Sequence, residues 1–167
     1  MLHLTVIASP LGPLTLATRG GRLCVLHFGA DRPAVEGMLR RWYGDESLSA
    51  PSAPMPVVAR LESYFGGETT ALDGIDVELN GTPFQRRVWE ALRGIRVGQT
   101  ASYGDIARSI DAPTAVRAVG AANGANPVAI VVPCHRIIGT GGSLTGYGGG
   151  LDRKRWLLQH EGAGRLF

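Results

Sequence analysis

Hydrophobic and polar positions change their spacing along this chain, and the changes mark its elements. Short apolar runs at Leu4 to Ala8, Leu14 to Ala17 and Leu23 to Phe28 are separated by Pro10-Leu11-Gly12-Pro13 and Arg19-Gly20-Gly21-Arg22. Runs of strand length between turn-forming residues predict a three-stranded meander. From Asp31 the spacing turns helical: Val35, Met38, Leu39 and Trp42 share one face, Asp31 stands where a cap is needed, and Gly44 ends the run. A loop rich in Ser and Pro, residues 47–56, precedes a second helical run through Val57, Val58, Leu61, Tyr64 and Phe65, stopped by Gly66-Gly67. Residues 69–79 carry little periodicity and read as a linker, which sets the predicted domains at 1–79 and 80–167.

Beyond that boundary the pattern is one of short capped helices. Thr82, with Pro83 in the first helical position, opens one whose Phe84, Val88, Trp89 and Leu92 face inward. Ser102-Tyr103-Gly104-Asp105 has capping-box spacing and starts the next, which runs through Ile106, Ala107 and Ile110 to Pro113. A third spans Thr114 to Gly124. Two short helices joined by a turn make a helix-turn-helix pattern, one that many globular proteins share. Val128 to Val132 reads as a buried strand, and Asp152 to His160 as a last helix on an apolar body of Trp156, Leu157 and Leu158. The expected class is α/β, a small sheet-and-helix domain followed by a mostly helical one.

Composition narrows this picture. At 167 residues, 44% apolar and 19% charged, the chain suits one or two compact domains and excludes a disordered one. No apolar stretch approaches the ~18 residues of a bilayer-spanning helix. Met1-Leu2-His3-Leu4 also lacks the basic opening of an export signal, so a cytoplasmic location and no membrane partner are expected. The net charge of +3 divides into −3 over residues 1–79 and +6 over 80–167. Phosphates attract such a basic half through a long-range field. An Arg-rich solvated surface has the same count. Cys24 and Cys134 are too few for a disulfide framework, and a CxxC zinc pattern is absent. Cys24, within Leu23-Cys24-Val25-Leu26, reads as a small core residue. His3, Cys24 and His27 lack a fourth ligand at useful spacing, and the glycine clusters at 141–142 and 148–150 lack the Lys-Ser/Thr of a phosphate loop. No metal and no cofactor are expected.

Two segments could carry chemistry. The run from Thr114 to Gly124 is built largely of Ala115, Ala118, Gly120, Ala121, Ala122 and Gly124, with Val116, Arg117, Val119 and Asn123 as its large members. An ordinary helix is ~10–12 Å across and a B-form minor groove ~6 Å wide, so a helix approaching that groove needs small residues on its contact face. Arg117 would then project alone. Close packing against another helix calls for the same small residues. The second segment, Pro133-Cys134-His135-Arg136, follows the Asn126-Pro127 turn and sets a thiol beside an imidazole and a guanidinium. Neighbouring positive charge favours the thiolate, the nucleophilic form. Consecutive side chains usually point apart, so His135 would act on Cys134 through a water. A buried inert cysteine beside a surface histidine has the same sequence.

Taken together, Pro133-Cys134-His135-Arg136, Ala115-Val116-Arg117-Ala118-Val119-Gly120, Asn126-Pro127, Ser102-Tyr103-Gly104 and Gly146-Tyr147 resemble, in kind and separation, the O6-alkylguanine-DNA alkyltransferase family over residues 80–162. The first half is similar to the family's variable amino-terminal domain more loosely, through its sheet and the Ser9-Pro10-Leu11-Gly12 turn. The resemblance implies a ribonuclease-H-like domain followed by a winged-helix-like domain containing the helix-turn-helix. It also implies roles. Cys134 would accept the alkyl group, His135 would be its water-mediated general base, Glu161 would orient His135, and Asn126 would brace the active-site turn. Tyr103 would crowd the target phosphate and donate a proton toward the leaving guanine. Arg117 would fill the space left by an extruded nucleotide, with Ser102, Tyr103, Ala118, Ala121 and Ala122 along the DNA. Cys134, Tyr147, Gly148 and the backbone at Ile137 would line the base pocket. Some relatives carry serine at the position of Gly148, so here only a backbone amide is left to meet the O6 atom.

The activity implied is that of a methylated-DNA–protein-cysteine methyltransferase. It would flip O6-methylguanine, and less efficiently O4-methylthymine, out of double-stranded DNA and move the methyl group irreversibly to Cys134. Extrusion costs a few kcal/mol of stacking and pairing, less for a damaged base. The thioether product has no carbonyl for water to attack, so one molecule would repair one lesion. The expected partner is duplex DNA containing O6-alkylguanine, met by a protein monomeric in solution, with cooperativity on DNA open. Two other readings fit the residues: a cysteine hydrolase using Cys134, a histidine and Asn126, which turns over, and a non-catalytic lesion sensor, against which the presence of Cys134 argues.

Overall fold

Turn chemistry shapes the first of two compact units, Met1–Asn80 and the residues from Gly81 on. A computed structural model describes residues 1–163; residues 164–167 of the predicted second domain lie outside the described residues. Strands β1 (Leu2–Ile7), β2 (Leu14–Arg19) and β3 (Arg22–Phe28) form the antiparallel meander. Gly20 and Gly21 join β2 to β3 with φ of 55° and 82°, the left-handed pair that a two-residue hairpin of matching twist demands. At the other turn the Ser9 hydroxyl donates to the Gly12 carbonyl at 2.6 Å, and the Gly12 amide returns to Ser9 at 3.0 Å.

Helix α1 (Arg32–Tyr43) is capped by Asp31, whose carboxylate accepts from the Ala34 amide at 3.1 Å. Its Val35 and Leu39 share a core with Leu2, Leu4, Ala17, Cys24 and Val25. Each such aliphatic side chain contributes ~1.5–3 kcal/mol on burial. Cys24 is thus a core residue, its thiol donating to the Ala17 carbonyl at 3.3 Å. The Ser/Pro loop holds a short strand that its composition does not announce: β4 (Leu48–Ser49) pairs parallel with β1, giving the order β3-β2-β1-β4. Helix α2 (Pro56–Phe65) follows. Residues 69–79 are not a free linker. Leu72, Ile75 and Val77 are buried, and the chain returns to β3 through Leu23 amide to Asp76 carbonyl (3.0 Å) and Glu78 amide to Leu23 carbonyl (2.9 Å). Aperiodicity there reflects a single tertiary strand-like contact, which a periodicity rule does not register.

The second unit is helical: α3 (Pro83–Arg93), α4 (Tyr103–Ser109), α5 (Val116–Gly124), a 3-10 turn at Cys134–Arg136, and α6 (Leu151–His160). Thr82 and Gln85 exchange hydrogen bonds at the start of α3, as do Ser102 and Asp105 at the start of α4, so both helices begin in capping boxes. Trp89, fully buried, donates its indole N–H to the Ala122 carbonyl at 2.8 Å and thereby fastens α3 to α5. Gly81 lies under that ring; a Cβ there would stand 2.5 Å from two ring carbons. Gly81→Ala is therefore expected to lower stability by ~1–3 kcal/mol through overpacking, seen as a reduced urea midpoint with no change in Cys134 chemistry.

Val128 and Ile130 to Val132 are buried, but residues 128–132 do not form the predicted strand. Val131 amide bonds back to Ala129 carbonyl at 2.8 Å and Val132 amide to Val128 carbonyl at 3.0 Å, so the backbone turns upon itself. A short apolar run reports burial alone; it does not distinguish an extended segment from a compact one. No helix among the described residues is long and apolar enough to cross a membrane.

Candidate active site and nucleic-acid interface

The thiol sits at the end of a loop that one carboxamide closes. Asn126, just beyond α5, accepts from the Val128 amide at 2.9 Å through Oδ1. Its Nδ2 donates to the Val132 carbonyl at 2.8 Å and to Cys134 Sγ at 3.1 Å. Within this loop Ile130 adopts φ of 70°, a left-handed conformation that β-branched residues avoid at a cost of ~1–3 kcal/mol. The bonds of Asn126 across the loop, together with burial of Val128, Ile130 and Val132, overdetermine that conformation. Cys134 itself is buried, and burial pushes its thiol above the ordinary value, against the Asn126 hydrogen bond and the Lys154 charge, which lower it.

The next residue belongs to a buried charged cluster. His135 Nε2 lies 2.8 Å from Glu161 Oε1. Arg136 reaches the same carboxylate twice, with Nε and a terminal nitrogen each at 2.9 Å, and gives its other terminal nitrogen to the Ile95 carbonyl at 2.6 Å. Burial pushes Glu161 up, but His135 and Arg136 more than offset it and hold the carboxyl well below its usual range. Burial lowers His135, assisted by the Arg136 and Lys154 charges and opposed by Glu161. His135 Nδ1 is buried and makes no hydrogen bond among the described residues. With Nε2 taken up by a carboxylate, Nδ1 is the nitrogen free to accept a proton.

Arg136 is therefore not the cation that lowers the thiol; Glu161 and a carbonyl occupy it. Lys154 is. This lysine, on α6, is fully buried, and its ammonium donates to the Thr145 carbonyl at 3.3 Å. The Thr145 hydroxyl in turn stands 3.3 Å from the Tyr103 hydroxyl. Tyr147, half-buried in the same segment, is among the neighbours that lower the Cys134 thiol. Gly148 is exposed and Ile137 is fully buried.

Around this site α4 and α5 present the small-residue surface. Arg117, Ala118 and Ala121 are exposed, Ser102 and Tyr103 half-buried, and the Tyr103 ring passes close to Gly120. Ala122 departs from the expectation: it is 2% exposed and packs toward Trp89, so it cannot touch DNA. Ala121 and Ala122 are adjacent on a helix and must face about 100° apart, which is why one is a surface residue and the other a core residue.

Residues 83–163 match the family described as 6-O-methylguanine DNA methyltransferase, DNA binding domain, and residues 2–79 match its ribonuclease-like domain. The chain belongs to the O6-methylguanine-DNA methyltransferase family. It is 50% identical over 161 residues to the methylated-DNA–protein-cysteine methyltransferase of Mycobacterium tuberculosis, covering 96% of this chain and 93% of that one. To the Salmonella typhimurium protein of the same name it is 48% identical over 159 residues, 93% of each chain. The crystal structure of the M. tuberculosis O6-methylguanine methyltransferase superposes with a TM-score of 0.82 at 47% identity, covering 98% of this chain and 94% of that one. The structure of the M. tuberculosis protein in complex with DNA gives the same score and identity over 96% and 93%. As a member of this family the protein has a DNA-binding domain over residues 83–163, and DNA is its partner.

Within the family frame, the fold brings together Cys134, Asn126, His135 and Glu161, and on the adjoining surface Tyr103 and Arg117. Sequence reasoning missed Lys154 and Thr145. A signal for Lys154 was available: it is the only lysine in a chain otherwise supplied with arginine, and it falls on the apolar face of α6, three and four residues before Leu157 and Leu158.

Proposed function

We propose that this protein reverses alkylation of DNA directly, moving the alkyl group from guanine O6 in a duplex onto Cys134 Sγ. The observation that carries this reading is the arrangement next to the sulfur: His135 held through Nε2 by Glu161 at 2.8 Å, with Nδ1 unpartnered among the described residues, one residue from a thiol tethered by Asn126. A water joining Nδ1 to Sγ carries the thiol proton to His135. The sulfur lone pair then forms the S–C bond while the C–O6 bond breaks, and the electron pair leaves with guanine, which takes up a proton from the Tyr103 side. Without that proton the leaving group is a poor anion. The thioether is inert to water, so each molecule acts once. O4-methylthymine is a slower substrate. Gly148 offers the base no side-chain hydroxyl, which leaves backbone amides and the Ile137 main chain to hold the guanine edge.

The protein works as a monomer in the cytoplasm. Affinity for duplex falls steeply with salt, because Arg-phosphate contacts release counterions. Sequence preference is slight, since the minor groove has a degenerate pattern.

Intact-mass measurement after incubation with a duplex carrying one O6-methylguanine tests the reading. One added methyl, located on Cys134 and saturating at one equivalent, supports it. Sustained turnover would instead indicate a hydrolase, and tight binding at unchanged mass a lesion sensor. Arg117→Ala is expected to slow transfer from the duplex ~10-fold or more, because extrusion costs a few kcal/mol that the guanidinium offsets. Transfer from a free O6-alkylguanine base needs no extrusion and should change less than about twofold; equal losses on both substrates would remove this role.

A further inference from the structure

Backbone pairing leads the chain beyond Cys134 back to the start of α4. The Ala101 amide donates to the Arg136 carbonyl at 3.0 Å and the Ile138 amide to the Ala101 carbonyl at 2.9 Å, so the segment leaving the thiol runs beside the residue two before Tyr103. A tight turn follows. The Gly139 amide donates to the Ser143 carbonyl at 2.7 Å and the Gly142 amide to the Gly139 carbonyl at 3.0 Å, with Gly141 and Gly142 at φ of 87° and 88°. The reversal returns Thr145 to Tyr103, and there Thr145 is fixed at three points. Its carbonyl accepts from Lys154 Nζ at 3.3 Å. Its methyl lies over Gly139, where a Cβ would stand 2.9 Å from it. Its hydroxyl is 3.3 Å from the Tyr103 hydroxyl. A β-branched side chain has few χ1 choices, so a methyl held against Gly139 also sets the direction of the hydroxyl. Among the described residues each of these two hydroxyls is the other's only hydrogen-bond partner.

We propose that Thr145 is a positioning residue for the reaction: its hydroxyl donates to the Tyr103 oxygen, leaves the phenol proton for the departing guanine, and stabilises the negative charge on Tyr103 as that proton moves. The inference rests on Tyr103 acting toward the leaving base, as above. A phenol has one hydrogen and can accept while it donates. With Thr145 as donor the Tyr103 hydrogen is free for the base; with Thr145 as acceptor it would be taken up before the reaction began. The 3.3 Å separation is long for two hydroxyls, whose ordinary distance is ~2.7–2.8 Å, and it shortens when the acceptor gains charge. An interaction weak at rest and strong as charge gathers is the kind that accelerates a step. Protons balance. Sγ gives one to His135 and Tyr103 gives one to guanine; exchange with solvent then removes the first from His135 and restores the second to Tyr103. Thr145 keeps its own hydrogen throughout.

The test pairs two reactions of the full-length protein at one sulfur. Single-turnover methyl transfer from a duplex carrying one O6-methylguanine is followed by intact mass, and Cys134 alkylation by iodoacetamide by peptide mass. Iodide leaves without a proton, so the second reaction has no use for Tyr103 or Thr145. Thr145→Val keeps the methyl and the shape and removes the hydroxyl. It should slow transfer at saturating duplex by ~10-fold, the size of a hydrogen bond to a developing charge. The half-saturating duplex concentration and the iodoacetamide rate should both stay within about twofold, since neither draws on the phenol proton. Thr145→Ser restores the donor and should recover transfer to within about threefold of wild type. In a Tyr103→Phe background the phenol is gone, and adding Thr145→Val should slow transfer by less than about twofold more. A further ~10-fold loss in that background overturns the proposal, because the two residues would then act independently. So does a Thr145→Ser as slow as Thr145→Val, a Thr145→Val that transfers like wild type, or a loss that iodoacetamide shares. Should circular dichroism show Thr145→Val unfolded, Thr145→Ala is read by the same criteria, alone and with Tyr103→Phe. Failure of the transfer reading itself looks different: wild type gains no methyl although iodoacetamide modifies Cys134, and this inference falls with it.

Discussion

Cys134→Ser is expected to bind duplex DNA as the parent does and to lose alkyl transfer by at least about a thousandfold, because an alcohol is not ionised near neutral pH and is a far weaker nucleophile. Oxygen for sulfur preserves the hydrogen bond that Asn126 Nδ2 donates at 3.1 Å and alters the buried volume little, so the 126–134 loop should keep its shape. Gel-shift affinity and single-turnover mass transfer, measured on one preparation, separate the two effects. Retained transfer would mean that another nucleophile takes the alkyl group. Lost binding would mean that the thiol supports the DNA surface through the loop, a role not assigned to it above.

Glu161→Gln should be the most destabilising single change at the site, by ~3–5 kcal/mol, since breaking a buried pair strands the remaining charge. Here that charge is the Arg136 guanidinium, which would keep the Ile95 carbonyl and lose its carboxylate at 2.9 Å. Transfer should fall as well, because a neutral amide supports the imidazolium of His135 less. The effect carries a pH signature. Glu161 has a folded value below its ordinary 4.5, so its stabilisation is fully present above that pH and disappears as pH falls through the folded value. His135 is also lowered, from an ordinary 6.5, so the wild type already loses some stability as pH falls below that point. The gap between wild type and Glu161→Gln in urea unfolding should thus be steady above pH 5 and narrow only in acid. A gap that closes between pH 7 and 5 would assign the effect to His135 instead.

Much of the fold can be read from local rules. The Gly20-Gly21 hairpin, the Asp31 cap and the boxes at Thr82 and Ser102 each depend on residues within a few positions: the glycines take the positive φ the turn needs, and the capping side chains make the bonds their spacing implies. Departures occur where a segment's partner is distant in sequence. Leu48–Ser49 is a strand because β1 lies beside it, and residues 69–79 pack because Leu23 offers them an amide and a carbonyl. Residues 128–132 coil because Asn126 closes the loop on itself.

The chain's order alone determined the chemical vocabulary: one thiol in Pro133-Cys134-His135-Arg136, a helix of small residues with a lone arginine, and a basic second half. Which charges are paired and which act on the sulfur was decided by tertiary structure. Arg136, next but one to Cys134 in sequence, is paired with a carboxylate 25 residues on. The charge that lowers the thiol is that of Lys154, 20 positions distant and buried on α6. Covalent neighbours diverge along a backbone, and Coulomb forces act through space at distances the fold sets; a linear pattern therefore names the reacting groups and leaves their electrostatic partners to folding.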